Sequence, residues 1–153
     1  MPEVEFVILA NHIEALNGLL YVSGGGWTDH YRPMPPGSPD YISHLGIGVS
    51  AVVPWTDTNV QYQLVVRLET EDGKDVFEVL PTLVAGRPPN LPPGSDQRVV
   101  YAMNVEITFP HAGGYRILAR IEGVNSPRSV TFRVHDVPLP KMEGSGSTTP
   151  PAG

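Results

Sequence analysis

The chain has 153 residues, a formal net charge of −6 at pH 7 and no cysteine. This length suits one folded domain that can bury a core without disulfides or metals. Hydrophobic residues make up 41% of the chain and charged residues 17%, a balance that argues against intrinsic disorder. Because there is no cysteine and no signal-peptide pattern at the amino terminus, we expect a cytoplasmic protein.

The charge is distributed unevenly along the chain. Residues 1–90 carry 11 acidic side chains against 4 Lys or Arg, whereas residues 91–153 carry 5 against 6. No cluster of basic side chains could neutralise several phosphates, so nucleic acid and anionic membranes are disfavoured as partners. The longest apolar run, residues 6–10, is far shorter than the roughly 20 residues that cross a bilayer. We expect neither a nucleic acid nor a membrane partner.

Alternation of apolar and polar residues recurs along the chain and is typical of half-buried strands. It is clearest in residues 99–109, where every odd-numbered residue is apolar and would face the core. Turn sequences such as Asn17-Gly18 and Ala112-Gly113-Gly114 separate successive runs and favour antiparallel hairpins. The predicted strands are 4–16, 19–28, 45–53, 60–70, 75–84, 99–109, 115–123 and 129–135.

These strands predict an all-β fold, an antiparallel two-sheet sandwich of about eight strands formed by residues 1–138. The 16 glycines and 17 prolines suit the many turns of such a fold. Residues 32–40 and 87–96 have similar proline-rich sequences. We interpret both segments as stiff crossovers that carry the chain from one sheet to the other. The alternative interpretation is a pair of polyproline ligands for a partner protein. The Gly/Ser/Thr/Pro tail, residues 139–153, is expected to be disordered.

Residues that could carry chemistry are few and scattered. The chain has no cysteine nucleophile and no Gly-x-Ser-x-Gly elbow. The histidines and aspartates that we considered as metal ligands lack the close fixed spacing that metal sites use. They are His12, His30, His44, Asp29 and Asp40, together with the pair His135-Asp136. We predict no catalytic, cofactor-binding or metal-binding residue.

A glycine run before a tryptophan is the best local candidate for a binding site. Ser23-Gly24-Gly25-Gly26 lacks the Lys-Ser/Thr of a phosphate-binding loop. The simpler interpretation is a bulge or bend that lets Trp27 or a neighbouring backbone come close to the glycines. A ligand could use the same opening. Aromatic residues near strand ends are either core plugs or binding anchors. The candidate binding surface consists of Gly24, Gly25, Gly26, Trp27, Tyr31, Tyr41 and Trp55.

Two resemblances add context. The segment 109–117, Phe-Pro-His-Ala-Gly-Gly-Tyr-Arg-Ile, resembles the approach to a late strand in immunoglobulin-like sandwiches. This resemblance implies that the Tyr115 hydroxyl bonds back to the preceding corner. The residues 1–6, 9–11, 17–18, 24–27 and 91–94 are similar to those of small uncharacterised bacterial proteins common in actinobacteria. That resemblance covers residues 1–138 and implies a sandwich in a bacterial cytoplasm, without any functional residue.

The absence of reactive clusters and the regular strands favour a non-enzymatic protein-interaction or assembly module. Its partner would be another protein or a second copy of the chain. One alternative is a small-ligand carrier with a pocket near residues 24–27. A second alternative is an enzyme with an unrecognised site, which would require His12, Asp29, His30 or Asp40 to converge in one pocket.

Overall fold

The computed structural model describes residues 1–34 and 41–138, which form ten strands in two sheets. The predicted all-β sandwich is confirmed, with ten strands instead of about eight. The strands are β1 (Glu3–Leu16), β2 (Leu19–Gly25), β3 (Asp29–Met34), β4 (Ser43–Val53), β5 (Tyr62–Thr70), β6 (Asp75–Val79), β7 (Thr82–Leu83), β8 (Gln97–Ile107), β9 (Gly113–Ile121) and β10 (Arg128–Pro138). One 3-10 turn, Trp55–Asp57, follows β4. The predicted tail lies outside the described residues.

The four-stranded sheet has the order β2-β1-β4-β8, and the six-stranded sheet has the order β3-β10-β9-β5-β6, with β7 beside β5. All neighbours are antiparallel except β3 and β10, which run parallel from Asp29 opposite Arg133 to Met34 opposite Pro138. The predicted antiparallel sandwich therefore includes one parallel pair, which the sequence did not indicate. Because β1 and β3 lie in different sheets, the first strands of the chain contribute to both layers.

The core lies between the two sheets, as the alternation predicts. Odd-numbered residues of β8 pack against it, although they are only half-buried because β8 ends its sheet. The Tyr115 hydroxyl donates to the His111 carbonyl oxygen at 2.5 Å, as predicted for this corner. The largest fully buried side chains include Tyr115, Phe109, Leu45, Ile47, Leu64, Leu68, Leu83, Ile117 and Ile121.

Most strands begin or end a few residues from the predicted positions, and three places differ more in kind. The strand predicted over 19–28 ends at Gly25, because Gly24 and Gly26 have φ of +62° and +83° and turn the chain. Residues 29–34, predicted partly as a crossover, form β3; Pro33 concealed this strand, since proline is confined to edge strands. The rest of that crossover, 35–40, lies outside the described residues. Residues 75–84 form two short strands instead of one.

The β1–β2 hairpin folds over the outer face of the four-stranded sheet. Gly46 and Gly48 of β4 are buried there, and a Cβ at Gly48 would lie 2.8 Å from Ile8 Cγ2 and would also contact Ile13 Cδ1. The side chain of Asn104 on β8 accepts from the Ile13 amide at 3.1 Å and donates to the Ile13 carbonyl at 2.7 Å. Gly48 thus makes room for Ile13, Gly46 makes room for the backbone of Ala10 and His12, and Asn104 supplies the hydrogen bonds to Ile13 that a neighbouring strand would otherwise make.

Candidate functional site

An open cleft lies where β2 ends and β3 begins. Its volume is about 600 Å³. The lining residues are Asn11, Gly24, Gly25, Gly26, Trp27, Asp29, His30 and Tyr31. Five of the seven residues of the predicted binding surface therefore lie together in one place.

Backbone conformation shapes the glycine wall of this cleft. Gly24 adopts φ +62°, and a Cβ on it would overlap the carboxamide of Asn11. The amide of Gly26 donates to the Leu9 carbonyl at 2.8 Å, which ties the turn to β1. Gly26 itself has φ +83°, a conformation that residues with a side chain rarely adopt. The wall is therefore open backbone at Gly26, where a Cβ would have no neighbour within 4 Å, whereas the side chains of Asn11 and Val22 cover Gly24 and Gly25.

The opposite wall is the open edge of β3. The amide of Arg133 donates to the Thr28 carbonyl at 2.9 Å, so the backbone of residue 28 faces β10. Strand residues alternate, so the polar backbone groups of Asp29 and Tyr31 face away from β10, toward the open edge. In the described part of the chain no strand pairs with this edge. Pro33, the next residue on that side, has no N–H to offer.

A polar and aromatic cluster stands at the rim. Tyr31 is 62% exposed, and its ring stacks on His135 with the centroids 4.9 Å apart. His135 Nε2 lies 2.7 Å from Asp29 Oδ1, and the Thr28 hydroxyl donates to Asp29 Oδ2 at 3.0 Å. The hydrogen bond from His135, followed by that from Thr28, lowers the pKa of Asp29 below its ordinary value. The carboxylate is thus held ionised and fixed in place.

Trp27 forms the inner end of the cleft. Its ring meets Phe132 edge-on at 5.5 Å and lies 5.6 Å from the ring of His30. Among the described residues the buried indole N–H of Trp27 has no hydrogen-bond partner. His30 Nε2 is 2.9 Å from the hydroxyl oxygen of Ser43, and burial, aided by Arg32, lowers the His30 pKa. The imidazole is therefore neutral at physiological pH.

Two predicted residues do not line the cleft. Trp55 follows the far end of β4 and stacks under the guanidinium of Arg87, which lies 4.2 Å from the ring centroid. Arg87 also donates to the Trp55 carbonyl at 3.0 Å, so this tryptophan has a local structural role. Tyr41 lies two residues before β4 begins at Ser43 and is not among the lining residues.

The scattered histidines do not converge. His12 stacks on His44 at 6.1 Å and lies 3.3 Å from Glu14, whereas Asp29 contacts His135 instead. Asp40 lies outside the described residues. Across residues 1–34 and 41–138, no group of three or more His, Asp or Glu side chains is placed to hold a metal ion. No helix in these ranges is long and apolar enough to span a membrane.

A second depression lies on the outer face of the six-stranded sheet. It measures about 390 Å³ and has Gly114 at its floor between Arg116 and Arg133. A Cβ on Gly114 would lie 2.8 Å from the Glu71 carboxylate, which therefore occupies the depression. Arg116 Nε donates to Glu69 at 2.7 Å. Since two carboxylates match two guanidiniums, this face offers no net charge to an anion.

Sequence reasoning missed three lining residues as members of the binding surface. Asp29 and His30 were considered only as metal ligands, and their adjacency was taken to separate them. At an edge strand, however, adjacent side chains can both border a cleft that runs along the edge. No sequence pattern indicated that Asn11 lines the cleft. Its carboxamide occupies the space that a Cβ on Gly24 would need, and Gly24 is distant from Asn11 in sequence.

The fold and the cleft define a β-sandwich protein with an open strand edge and a recess beside it. Residues 5–135 match the model of a family described as a family of unknown function (DUF6941). The chain belongs to this family, which agrees with the predicted resemblance to uncharacterised proteins. No protein of curated function matches the sequence significantly.

Proposed function

We propose that this protein is a non-enzymatic interaction module that holds an extended peptide segment of a partner protein in the cleft beside β3. The observation that carries the proposal is the open β3 edge beside a cleft whose wall is uncovered backbone at Gly26. A peptide that adds to an exposed strand gains main-chain hydrogen bonds, and adjacent recesses select its side chains.

The contacts available in the cleft fit a peptide. The outward-facing amide and carbonyl groups of Asp29 and Tyr31 can pair with a peptide backbone, and the exposed Tyr31 ring can cover an apolar side chain. Pro33 ends the pairing, so the bound stretch would be short.

The experiment is selection of peptides from a display library of random sequences, followed by fluorescence polarisation with the selected peptides. Tyr31→Lys should weaken binding at least about fivefold, since loss of an aromatic anchor that a bound peptide covers costs about 1 kcal/mol or more. Leu80→Lys is the matched control, because Leu80 is also exposed but lies outside the cleft. Binding should also slow hydrogen exchange at the amides of Asp29 and Tyr31.

Two outcomes would overturn the proposal: selection that yields no peptide, or peptides that bind Tyr31→Lys as tightly as the wild type. A ligand carrier remains the second candidate, favoured by the position of Trp27 in the lining of the cleft. Trp55→Phe leaves Trp27 as the only tryptophan. If metabolites quench its fluorescence while no peptide binds, the cleft serves a small molecule.

We also infer that the sandwich is of the immunoglobulin type. This inference is supported by the Tyr115 corner and by the parallel pairing of an early strand, β3, with the last strand, β10. A cytoplasmic location in a bacterium stays a prediction from the sequence. Fractionation of a native host with an antibody against the protein would test it.

A further inference from the structure

The β1–β2 hairpin leaves β2 with an open edge. Strand β2 ends the four-stranded sheet, and no strand among the described residues pairs with its other side. Asn104 binds both backbone polar groups of Ile13, so these groups point away from β2. Val22 lies opposite Ile13, and the two residues form a non-hydrogen-bonded pair of the antiparallel ladder. In such a pair the backbone N–H and C=O groups of both residues point away from the partner strand. The amides of Val22 and Leu20 therefore face the open edge.

This edge lacks the charged residues that commonly protect strand edges from pairing. No Asp, Glu, Lys or Arg occurs between Glu14 and Asp29. The other strands that end the two sheets carry charge, for example Asp75 on β6 and Arg98 on β8. Natural proteins use charge or proline to block pairing between edges, and β2 has neither.

The solvent-facing side of the hairpin also carries three exposed apolar side chains, beside Glu14, which lies opposite Tyr21 on β1. Leu16 lies opposite Leu19, and Tyr21 is two residues further along the same face of β2. Their exposed fractions are 57%, 59% and 51%. A contiguous apolar surface of this kind commonly marks a contact with another protein.

We propose that two copies of this chain associate by antiparallel pairing of β2 with β2 of the second copy, about a two-fold axis at Tyr21. Tyr21 then faces the Tyr21 of the second copy, and Leu20 pairs with Val22 across the axis. Backbone hydrogen bonds form at the two Leu20–Val22 pairs, because these residues direct their amides outward.

The charge pattern is what favours a second copy as the occupant. A two-fold axis brings identical residues together, so any charge near it would face a like charge. The chain carries −6 overall, yet the stretch around Tyr21 carries no charge, so pairing here brings no ionised side chain of the strand into a like-charge contact. The facing tyrosines add a cross-strand aromatic pair.

The first test is the mass in solution. Light scattering should give about twice the 16.6 kDa of one chain for the wild type. Tyr21→Lys places two like charges across the axis and should give a monomer with an unchanged thermal melt. Leu80→Lys should remain dimeric, because the exposed Leu80 lies on the β6–β7 connection. A monomeric wild type, or a Tyr21→Lys variant that stays dimeric, would overturn the proposal.

The second test fixes the register. Directly opposite residues of a non-hydrogen-bonded antiparallel pair have Cα atoms about 4.5 Å apart, within the range that a disulfide spans. The natural chain has no cysteine, so Tyr21→Cys introduces a single thiol. Mild oxidation should link most of this variant into dimers, whereas Leu80→Cys should remain largely unlinked. Equal linkage of both variants would refute the pairing at Tyr21.

Discussion

Replacement of Asn104 by alanine tests whether one side chain holds the β1–β2 hairpin against the outer face of the sheet. Asn104 accepts from the amide of Ile13 and donates to its carbonyl, at 3.1 and 2.7 Å. Ile13 is fully buried, and both hydrogen bonds are partly buried beside Asn104, which is itself exposed. Asn104→Ala would leave a donor and an acceptor of the backbone without partners.

The magnitude follows from these two hydrogen bonds. Each intramolecular hydrogen bond contributes about 0.5–1.5 kcal/mol net, and an unsatisfied buried group costs roughly 1–3 kcal/mol. We expect Asn104→Ala to lower the free energy of unfolding by about 1–3 kcal/mol. With a urea dependence of about 1–3 kcal/mol per M for small proteins, the unfolding midpoint should fall by roughly 1 M.

The assay is equilibrium unfolding in urea, followed by tryptophan fluorescence, together with hydrogen exchange at the Ile13 amide. Glu106→Ala is the matched control, because Glu106 is an exposed residue on the same face of β8. The control should change stability by less than about 0.5 kcal/mol. If Asn104→Ala behaves like the control and Ile13 exchange is not faster, Asn104 does not hold the hairpin and our reasoning fails.

Two further predictions concern close packing and protonation. Gly48→Ala should destabilise the protein by about 1–3 kcal/mol, because its Cβ would collide with Ile8 and Ile13. In thermal unfolding, Gly86→Ala should melt near the wild type, since a Cβ there has only one neighbour, at 3.9 Å. Burial lowers the pKa of His30, so the unfolded chain binds a proton at this residue more readily than the folded chain does. The contribution of neutral His30 to stability is therefore present above pH 6.5 and should be lost as the pH falls below 6.5. Urea midpoints from pH 8 to 5 should decline less for His30→Gln; parallel curves would contradict the burial argument.

Local patterns were sufficient to predict the fold class and most strands. Alternation in 99–109 predicted β8 and its inward face, because one side of that strand meets the core regardless of what pairs with it. The turn at Asn17-Gly18 was equally local: Asn17 and Gly18 adopt the positive φ values of 51° and 75° that a tight hairpin requires.

Strand β3 was missed because its stability comes from a distant partner. Its sequence, Asp-His-Tyr-Arg-Pro-Met, has no clear alternation and contains a proline. The strand forms because β10 supplies parallel hydrogen bonds and because buried Arg32 pairs with Asp136 and donates to the Phe109 carbonyl at 2.7 Å. None of these contacts can be derived from residues 29–34 alone.

The candidate site was predicted only in part, because contacts between residues distant in sequence also decide which side chains line the cleft. The residues from Gly24 to Trp27 are contiguous, and they line one cleft together with Tyr31. That this cleft is a binding site stays a prediction. Trp55 was grouped with them by residue type only, and the length of β4 places it at the other end of the sheet. Aromatic composition indicates possible anchors, but the strand order decides which of them meet.

The division of the first strands between two layers affects how the chain folds during synthesis. The Asn104–Ile13 contact joins residues 91 apart, and the Arg32–Asp136 pair joins residues 104 apart. Contacts between such distant residues form slowly, since much chain entropy is lost before they stabilise anything. The uncharged stretch from Ala15 to Thr28 leaves the ribosome long before β8 and β10 exist. A nascent chain therefore carries this unprotected segment until β8 and β10 have been made, and we expect it to be the part most prone to pair with other chains.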